Sequence, residues 1–591
     1  MTDYLKEYQR WLTGDIFDAA TKKELKKIDD PKEIEDRFYK ELSFGTGGMR
    51  GVLGAGTNRM NFYTVGKATQ GLSNYLNSAG GGSVAIAYDS RKMSKEFAED
   101  TARILAANGI KAYIFSGVRP TPELSFAVRR LKAKAGVVIT ASHNPPEYNG
   151  YKVYNEDGGQ IVPPQDKLIT ESVRGVKDYS CIKRVSFEEG VRRGLIVTIV
   201  EETDEAYFAA VCGTVLCPEV IKKRAQSLKI VYTPLNGAGR MPVLNVLSRM
   251  GFKNVSVVAE QAEPDGNFPT LRYPNPEDPA AFKLALELAS KNGADIVMAT
   301  DPDADRLGIY AGDKSGNYRA FTGNMSGALI LEYRLARMRE KGILQDIGKN
   351  GAVITTVVST DMAKAIAAKY GVTLIEVLTG FKYIGEKIKE FERAVKDNGG
   401  KYCAEKGAYK YLFGFEESYG CLTGSYARDK DAVSAVAALA EAACYYAEKG
   451  LTLPEVMDNM YSEYGYYKEG LWSKTFYGAD GAAAMRRLTA RLREDTPSEI
   501  GGYRVTEVKD FLTGRIFCFE RGNKADKGGT GLPVSDVLYF ELESGWCCVR
   551  PSGTEPKIKV YMGVKGGSLE SADKMLKDLS AAFTGLIKER E

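Results

Sequence analysis

One histidine in 591 residues, His143, is the sharpest deficiency of this sequence. Imidazole-built zinc and copper sites are thereby excluded, and proton transfer falls largely to carboxylates and lysine. A metal, if used, has to be a hard ion held by oxygen. The nine cysteines are odd in number and scattered apart from Cys547-Cys548, which argues against a disulfide framework or paired CxxC zinc ligands and favours a reducing compartment. No run reaches about 18 apolar residues, and the opening Met1-Thr2-Asp3-Tyr4-Leu5-Lys6 has no apolar segment, so neither a membrane span nor a secretory leader is expected. A cytoplasmic location follows. Charge of one sign is lacking as well: 81 basic and 77 acidic residues leave +4, too little for the basic stripe that nucleic acid or an anionic membrane needs. The remaining partner class is the small anion, and no oligomeric state is readable.

What is present is ordinary globular material, 44% hydrophobic and 27% charged. At roughly 150 residues per domain the length predicts about four domains. From Gly82 onward short apolar runs alternate with helix-like segments, the pattern of parallel sheets covered by helices. Runs at 84–88, 136–140, 230–232, 296–299 and 353–358 each stop in small or polar residues. Ligands bind outside the carboxyl ends of strands in such sheets, so chemistry is expected at these junctions. A helix is expected over 361–370, capped by Thr360 and stopped at Gly371. Gly465 to Gly478 reads as an aromatic-rich connection. Beyond Gly501-Gly502 strands and hairpins dominate, followed by a helix over 568–589, so the last hundred or so residues read as an α+β domain.

The strongest chemical signal is Asp301-Pro302-Asp303-Ala304-Asp305-Arg306 after the run 296–299. Three carboxylates at alternate positions can face one divalent cation of the Mg²⁺ type, and the loop lacks the Gly and Glu of an EF-hand. The competing reading is an acidic solvated turn. Thr140-Ala-Ser-His-Asn-Pro-Pro-Glu-Tyr-Asn-Gly-Tyr-Lys152 places Ser142 just past a strand, where it fits a nucleophilic or phosphorylated serine, with Asn149-Gly150 as a turn returning Lys152 toward it. Taken alone, the same segment is an ordinary turn, and a lone His143 an ordinary structural residue. Arg550-Pro551-Ser552-Gly553-Thr554 offers a guanidinium, two hydroxyls and a glycine-exposed backbone to an anion, or is a plain β-turn. Gly414-Phe415-Glu416-Glu417-Ser418-Tyr419-Gly420 suits sugar hydroxyls, or is an acidic surface loop. Phe44-Gly45-Thr46-Gly47-Gly48-Met49-Arg50-Gly51 lacks the Lys-Ser/Thr ending of a P-loop and fits a phosphate contact better than a nucleotide site.

Together, in this order, these motifs resemble the α-D-phosphohexomutase superfamily, which includes phosphoglucomutases and phosphomannomutases, from about Phe44 to Tyr561. The resemblance implies an α/β fold class: three related α/β/α mixed-sheet domains plus a C-terminal α+β domain around a central cleft. The expected limits are 1–205 with the phosphoserine loop, 206–325 with the metal loop, 326–475 with the sugar loop and 476–591 with the phosphate loop. It also implies that Ser142 is carried as phosphoserine and completes a Mg²⁺ site of Asp301, Asp303 and Asp305. Arg50, Lys152 and Arg306 match positions beside the transferring phosphoryl group, and Lys382 a lysine near the substrate. Glu416 and Ser418 match the sugar-hydroxyl loop, and Arg550, Ser552, Gly553 and Thr554 the phosphate loop. The Glu-Glu-Ser form with Gly420 looks more like glucose-phosphate enzymes and the phosphopentomutase-related branch, whereas Asn236 replaces a frequent family histidine.

The implied activity is a mutase interconverting hexose 1-phosphate and 6-phosphate, glucose first, through a phosphoserine enzyme and a sugar bisphosphate that is intermediate and activator. Lys152 or His143 would move the proton, Lys152 preferred. The alternatives are phosphopentomutase or phosphomannomutase activity, a sugar 1,6-bisphosphate synthase, a serine/metal phosphatase and a non-catalytic sugar-phosphate sensor. The last is disfavoured because nucleophile, acidic loop and anion loop are all intact.

Overall fold

The structure, a computed structural model, describes residues 3–45, 47–476, 478–520, 523–551 and 557–590. They divide into two compact units. The first runs through Gly323 and resumes at Phe381–Gly414 and Ser418–Leu453; the second takes Asn324–Gly380, Phe415–Glu417 and the chain from Pro454.

The first unit opens with three helices, Asp3–Thr13, Ala19–Leu25 and Pro31–Phe38, the last two capped by Asp18 and Asp30. Their apolar sides meet in an aromatic cluster in which Trp11 stacks on Phe17 at 4.4 Å and lies edge-on to Phe38, Tyr63 and Tyr179. Trp11 is fully buried there. Trp11→Ala is therefore expected to cost about 3–5 kcal/mol, read as a lower urea midpoint by circular dichroism.

Next come six strands, β1 (Gly48–Val52), β2 (Ser83–Tyr88), β3 (Lys111–Phe115), β4 (Ala135–Ile139), β5 (Tyr148–Asn155) and β6 (Ile196–Ile199), ordered β1-β5-β4-β2-β3-β6. The pairs β2–β3, β2–β4 and β3–β6 are parallel, and β5 runs antiparallel to β4 and β1. Val84, Ile86, Val137 and Ile139 are fully buried in the core below this sheet, while Ala85, Ala87 and Val138 face the opposite core. Burial on both faces explains why these strands read as continuous apolar runs. A second sheet has β7 (Ile230–Thr233), β8 (Val255–Val257), β9 (Ile296–Thr300), β10 (Leu307–Gly312) and β11 (Tyr318–Phe321), ordered β11-β10-β9-β7-β8. Here β7 is parallel to β8 and β9, whereas β10 runs antiparallel to β9 and β11.

The second unit contains the parallel pair β12 (Gly351–Thr356) and β13 (Thr373–Val377), joined by the helix Met362–Tyr370. That helix stops, as expected, at Gly371 in the left-handed conformation, φ 66°, but it is capped by Asp361 and not by Thr360, whose hydroxyl still accepts the Met362 amide at 3.2 Å from one residue further back. The C-terminal sheet is antiparallel and packs on the helix Leu569–Arg590 through Leu579, Phe583 and Ile587. The stretch read as a connection proves to be an edge strand of this sheet: Tyr466–Thr475 pairs along its whole length with Lys557–Gly566. Its outer positions are half-buried or exposed, so it lacks the apolar alternation that marks an interior strand.

A second correction concerns Asn149-Gly150, which forms no turn. Both residues lie inside β5, opposite Gly51 and Arg50 of β1. The reversal is made earlier, where Tyr148 N bonds to Pro145 O at 3.1 Å. Glycine is required at 150 because a Cβ there would stand 2.5 Å from the Thr140 carbonyl oxygen. The Asn149 amide is fixed inward on Lys92 O and Ser94 Oγ, at 2.9 and 3.0 Å.

Candidate active site

The ends of β4 and β9 supply the two chemical loops, and both lie in the first unit. Past β4, Ser142 adopts φ 51°, a conformation few non-glycine residues take up and worth about 1–3 kcal/mol of strain. Local bonds hold it there. The Ser142 amide donates to Thr140 Oγ1 at 2.8 Å, and Arg91 reaches under the loop to donate to the carbonyls of Ser142 (2.6 Å), Pro145 (2.8 Å) and Asn144. Arg91 is itself buried against Asp89, 3.4 Å away, and lies over the Phe268 ring. The result is a hydroxyl presented to the next loop: Ser142 Oγ donates to Asp301 Oδ2 at 2.8 Å, with His143 Nδ1 at 3.3 Å.

Past β9, the aspartate loop folds on itself with Ala304 at φ 48°. All three carboxylates are buried, and one ligand oxygen from each lies within 4.8 Å of the others. Each carboxylate has one oxygen tied back. Asp301 Oδ1 accepts the amides of Asp305 and Arg306, at 3.1 and 3.0 Å. Asp303 Oδ2 accepts Thr121 Oγ1 and Lys152 Nζ, both at 2.9 Å. Asp305 Oδ2 meets Lys430 Nζ at 2.8 Å and Lys152 Nζ at 3.7 Å. The other oxygens of Asp303 and Asp305 are buried with no hydrogen-bond partner. A buried unpaired carboxylate oxygen is costly, so two of them beside a third acid make a donor set that a hard divalent cation satisfies.

The electrostatics agree. Burial, then repulsion from Asp305 and Asp303, pushes the Asp301 carboxyl well above the ordinary carboxylate range. Burial pushes Asp303 the same way, but the Lys152 ammonium and then Lys430 outweigh it and hold the group ionised. His143 is driven well below its usual value by burial and by the guanidiniums of Arg306 and Arg50, which keeps the ring neutral.

The structure thus brings Ser142, His143, Lys152, Asp301, Asp303 and Asp305 into one cluster. Arg50 borders it, donating to Asn144 Oδ1 at 2.8 Å from its place on β1. Arg306 gives its amide to Asp301, while its side chain pairs with Glu277. Ser418 lies beside Tyr419, whose carbonyl accepts the Leu307 amide at 2.9 Å. Lys382 opens the helix Phe381–Asp397 with its ammonium 5.0 Å from the Tyr383 ring centroid. Glu416 and Arg550 belong to the second unit. There Glu417 accepts Thr356 Oγ1 at 3.0 Å and is pushed up to about 7 by burial and by Glu416, with Arg550 acting in the opposite sense. Ser552, Gly553 and Thr554 lie outside the described residues, as does Thr46.

Three contributors were not anticipated from sequence: Arg91, Thr121 and Lys430. Only Arg91 left a trace, in the polar Asp89-Ser90-Arg91 ending of the run 84–88.

Models of the four phosphoglucomutase/phosphomannomutase domains match the chain: the α/β/α domains I, II and III over residues 41–180, 205–315 and 322–464, and the C-terminal domain over 502–579. The phosphoglucomutase of Staphylococcus saprophyticus is 34% identical over 581 residues, 98% of both chains. That of Staphylococcus epidermidis is 36% identical over 554 residues, 93% of this chain and 95% of the relative. Among solved structures, a putative phosphomannomutase from Thermus thermophilus shares the fold with a TM-score of 0.66 at 22% identity, covering 93% of this chain and 99% of that one. Parafusin, a phosphoglucomutase from Paramecium, does so with 0.63 at 16% identity, covering 93% and 95%. By the serial match of all four domains, this chain belongs to the phosphoglucomutase/phosphomannomutase family of the α-D-phosphohexomutase superfamily.

Proposed function

We propose that the chain is a phosphosugar mutase that interconverts hexose 1-phosphate and hexose 6-phosphate, with glucose as the sugar, and that Ser142 carries the phosphoryl group. The observation that supports this most is the 2.8 Å contact of Ser142 Oγ with Asp301, beside two buried carboxylate oxygens that accept no hydrogen bond. The names of the staphylococcal relatives support glucose.

In the forward half-reaction the bond from phosphorus to Ser142 Oγ breaks as a bond from phosphorus to a sugar hydroxyl oxygen forms. One proton passes, in net, from that hydroxyl to Oγ. That proton is moved by Lys152 in preference to His143, whose Nδ1 lies 3.3 Å from Oγ. Lys152, paired with Asp303 and Asp305, would lie beside the phosphoryl oxygens, where its charged form attracts them. Arg50 and Arg306, whose charges both act on His143, would stand near the transferring group, so catalysis is positioning and charge neutralisation. Asp301, Asp303 and Asp305 would hold Mg²⁺, which supplies positive charge to the transferring phosphoryl oxygens. Glu416 and Ser418 would receive sugar hydroxyls. Arg550 with Ser552, Gly553 and Thr554 would receive the phosphate that is not being transferred.

A mutase must keep water from the phosphoserine while the bisphosphate turns around. With glucose 1-phosphate, Mg²⁺ and a trace of glucose bisphosphate, isomerised product is expected to exceed released inorganic phosphate by at least about 100-fold. Phosphate release as the dominant outcome would make the chain a phosphatase. A panel of mannose, glucosamine and pentose 1-phosphates in the same assay tests the choice of sugar.

A further inference from the structure

We infer that Thr121 is a positioning residue for the cation site, acting through Asp303. The inference rests on the reading of Asp301, Asp303 and Asp305 as the holders of a divalent cation.

Thr121 is fully buried and begins the helix Thr121–Arg130 between two prolines, Pro120 and Pro122. Amides of a first helical turn have no partner within the helix. Thr121 gives its own to the backbone carbonyl of Asp303 at 2.9 Å, while its hydroxyl donates to Asp303 Oδ2 at 2.9 Å. One residue thus grips both the backbone and the side chain of the middle aspartate, 182 positions away in sequence.

The grip has a direction. Holding Oδ2 on the helix side fixes the carboxylate torsion and leaves Oδ1, buried and without a partner, as the oxygen available to a cation. Lys152 shares Oδ2, but its ammonium sits on a flexible stem and also lies near Asp305, so it does not select which oxygen of Asp303 faces inward. The helix is itself anchored. Arg119, just ahead of it, clamps Asp204 with two bonds of 3.0 and 2.6 Å, and its amide bonds to the Tyr88 carbonyl at the end of β2. Further along, Ser125 Oγ donates to Gly158 O at 2.6 Å and accepts the Arg428 amide at 2.8 Å. Asp303 is therefore oriented by a rigid helix and not by its own loop alone. Groups that orient a ligand from behind typically affect cation affinity by about 10–100-fold.

The test uses the full-length protein and Mn²⁺ as probe, with affinity read by titration calorimetry. Thr121→Val keeps the shape and the backbone bond but removes the hydroxyl, and is expected to bind Mn²⁺ about 10–100-fold more weakly. Thr121→Ser restores the donor and is expected to stay within about threefold of the parent. At saturating metal, the Val variant is expected to regain kcat with KM for the sugar phosphate unchanged, a split that general loosening of the fold does not give. Should Thr121→Val not fold, Thr121→Ala, which also removes the donor, serves in its place. Parent-like Mn²⁺ affinity in the Val or Ala variant, together with loss of binding in Asp303→Asn, overturns the inference alone. Unchanged binding in Asp303→Asn overturns the cation site and this inference with it.

Discussion

Replacing Ser142 by alanine is expected to lower turnover by at least about 10⁴-fold while leaving the thermal unfolding transition within a degree or two of the parent. The magnitude follows from the chemistry. Without Oγ there is no covalent acceptor for the phosphoryl group, and the arginines, lysines and carboxylates around it can still bind substrate but have nothing to exchange with. The small structural cost follows from the contacts. The hydroxyl makes one bond to an aspartate and one to an imidazole, whereas the loop is held by backbone carbonyls that accept from Arg91 and by the Ser142 amide bonded to Thr140. None of those anchors uses the side chain. Substrate binding measured by calorimetry should survive within a few-fold, because the loss is in transfer and not in recognition. Turnover within tenfold of the parent would remove Ser142 from the mechanism.

Asp301→Asn should show the second largest effect, and it should separate function from stability. The residue accepts two backbone amides through one oxygen and faces Ser142 with the other, so the isosteric amide keeps the shape but withdraws a negative charge from the donor set. Since merely orienting groups are worth about 10–100-fold in metal affinity, loss of a charged ligand is expected to weaken Mg²⁺ dependence by more than about 100-fold, with a matching fall in rate. The metal-free protein should respond in the opposite sense. Three buried carboxylates repel one another, and burial disfavours the charge of Asp301, so neutralising it raises the melting temperature in chelator. Mg²⁺ should then raise the melting temperature of the parent and scarcely that of the variant. An Asn variant that melts lower in chelator and keeps the parent's Mg²⁺ response would contradict the assignment of this loop.

How much of this was legible in the sequence depended on whether partners were neighbours. Asp301, Asp303 and Asp305 are adjacent, and their convergence is a property of one stiff turn with Ala304 at positive φ. The pairing of that loop with Ser142 is not local, and only the order of motifs along the chain suggested it. Thr121 and Lys430 gave no signal, because a threonine opening a helix and a lysine in a charged stretch acquire meaning only when the fold sets them against Asp303 and Asp305. Asn149-Gly150 misled for a physical reason. The dipeptide commonly marks a turn, but here the glycine serves a close approach between the start of β5 and the Thr140 carbonyl. The strand Tyr466–Thr475 escaped because a sheet edge facing water imposes no apolar alternation. The strands buried on both faces were the easiest to place, since burial left them almost no polar residues.

The most direct measurement follows a phosphoryl group onto and off one side chain. The protein is incubated with a glucose bisphosphate and Mg²⁺, quenched, digested and mapped by mass spectrometry, then chased with glucose 1-phosphate. The account predicts one phosphoryl group on the peptide containing Ser142, localised to that serine, and its disappearance on the chase as bisphosphate forms. Steady turnover with Ser142 unmodified, or a phosphoryl group resident on another residue, would contradict it.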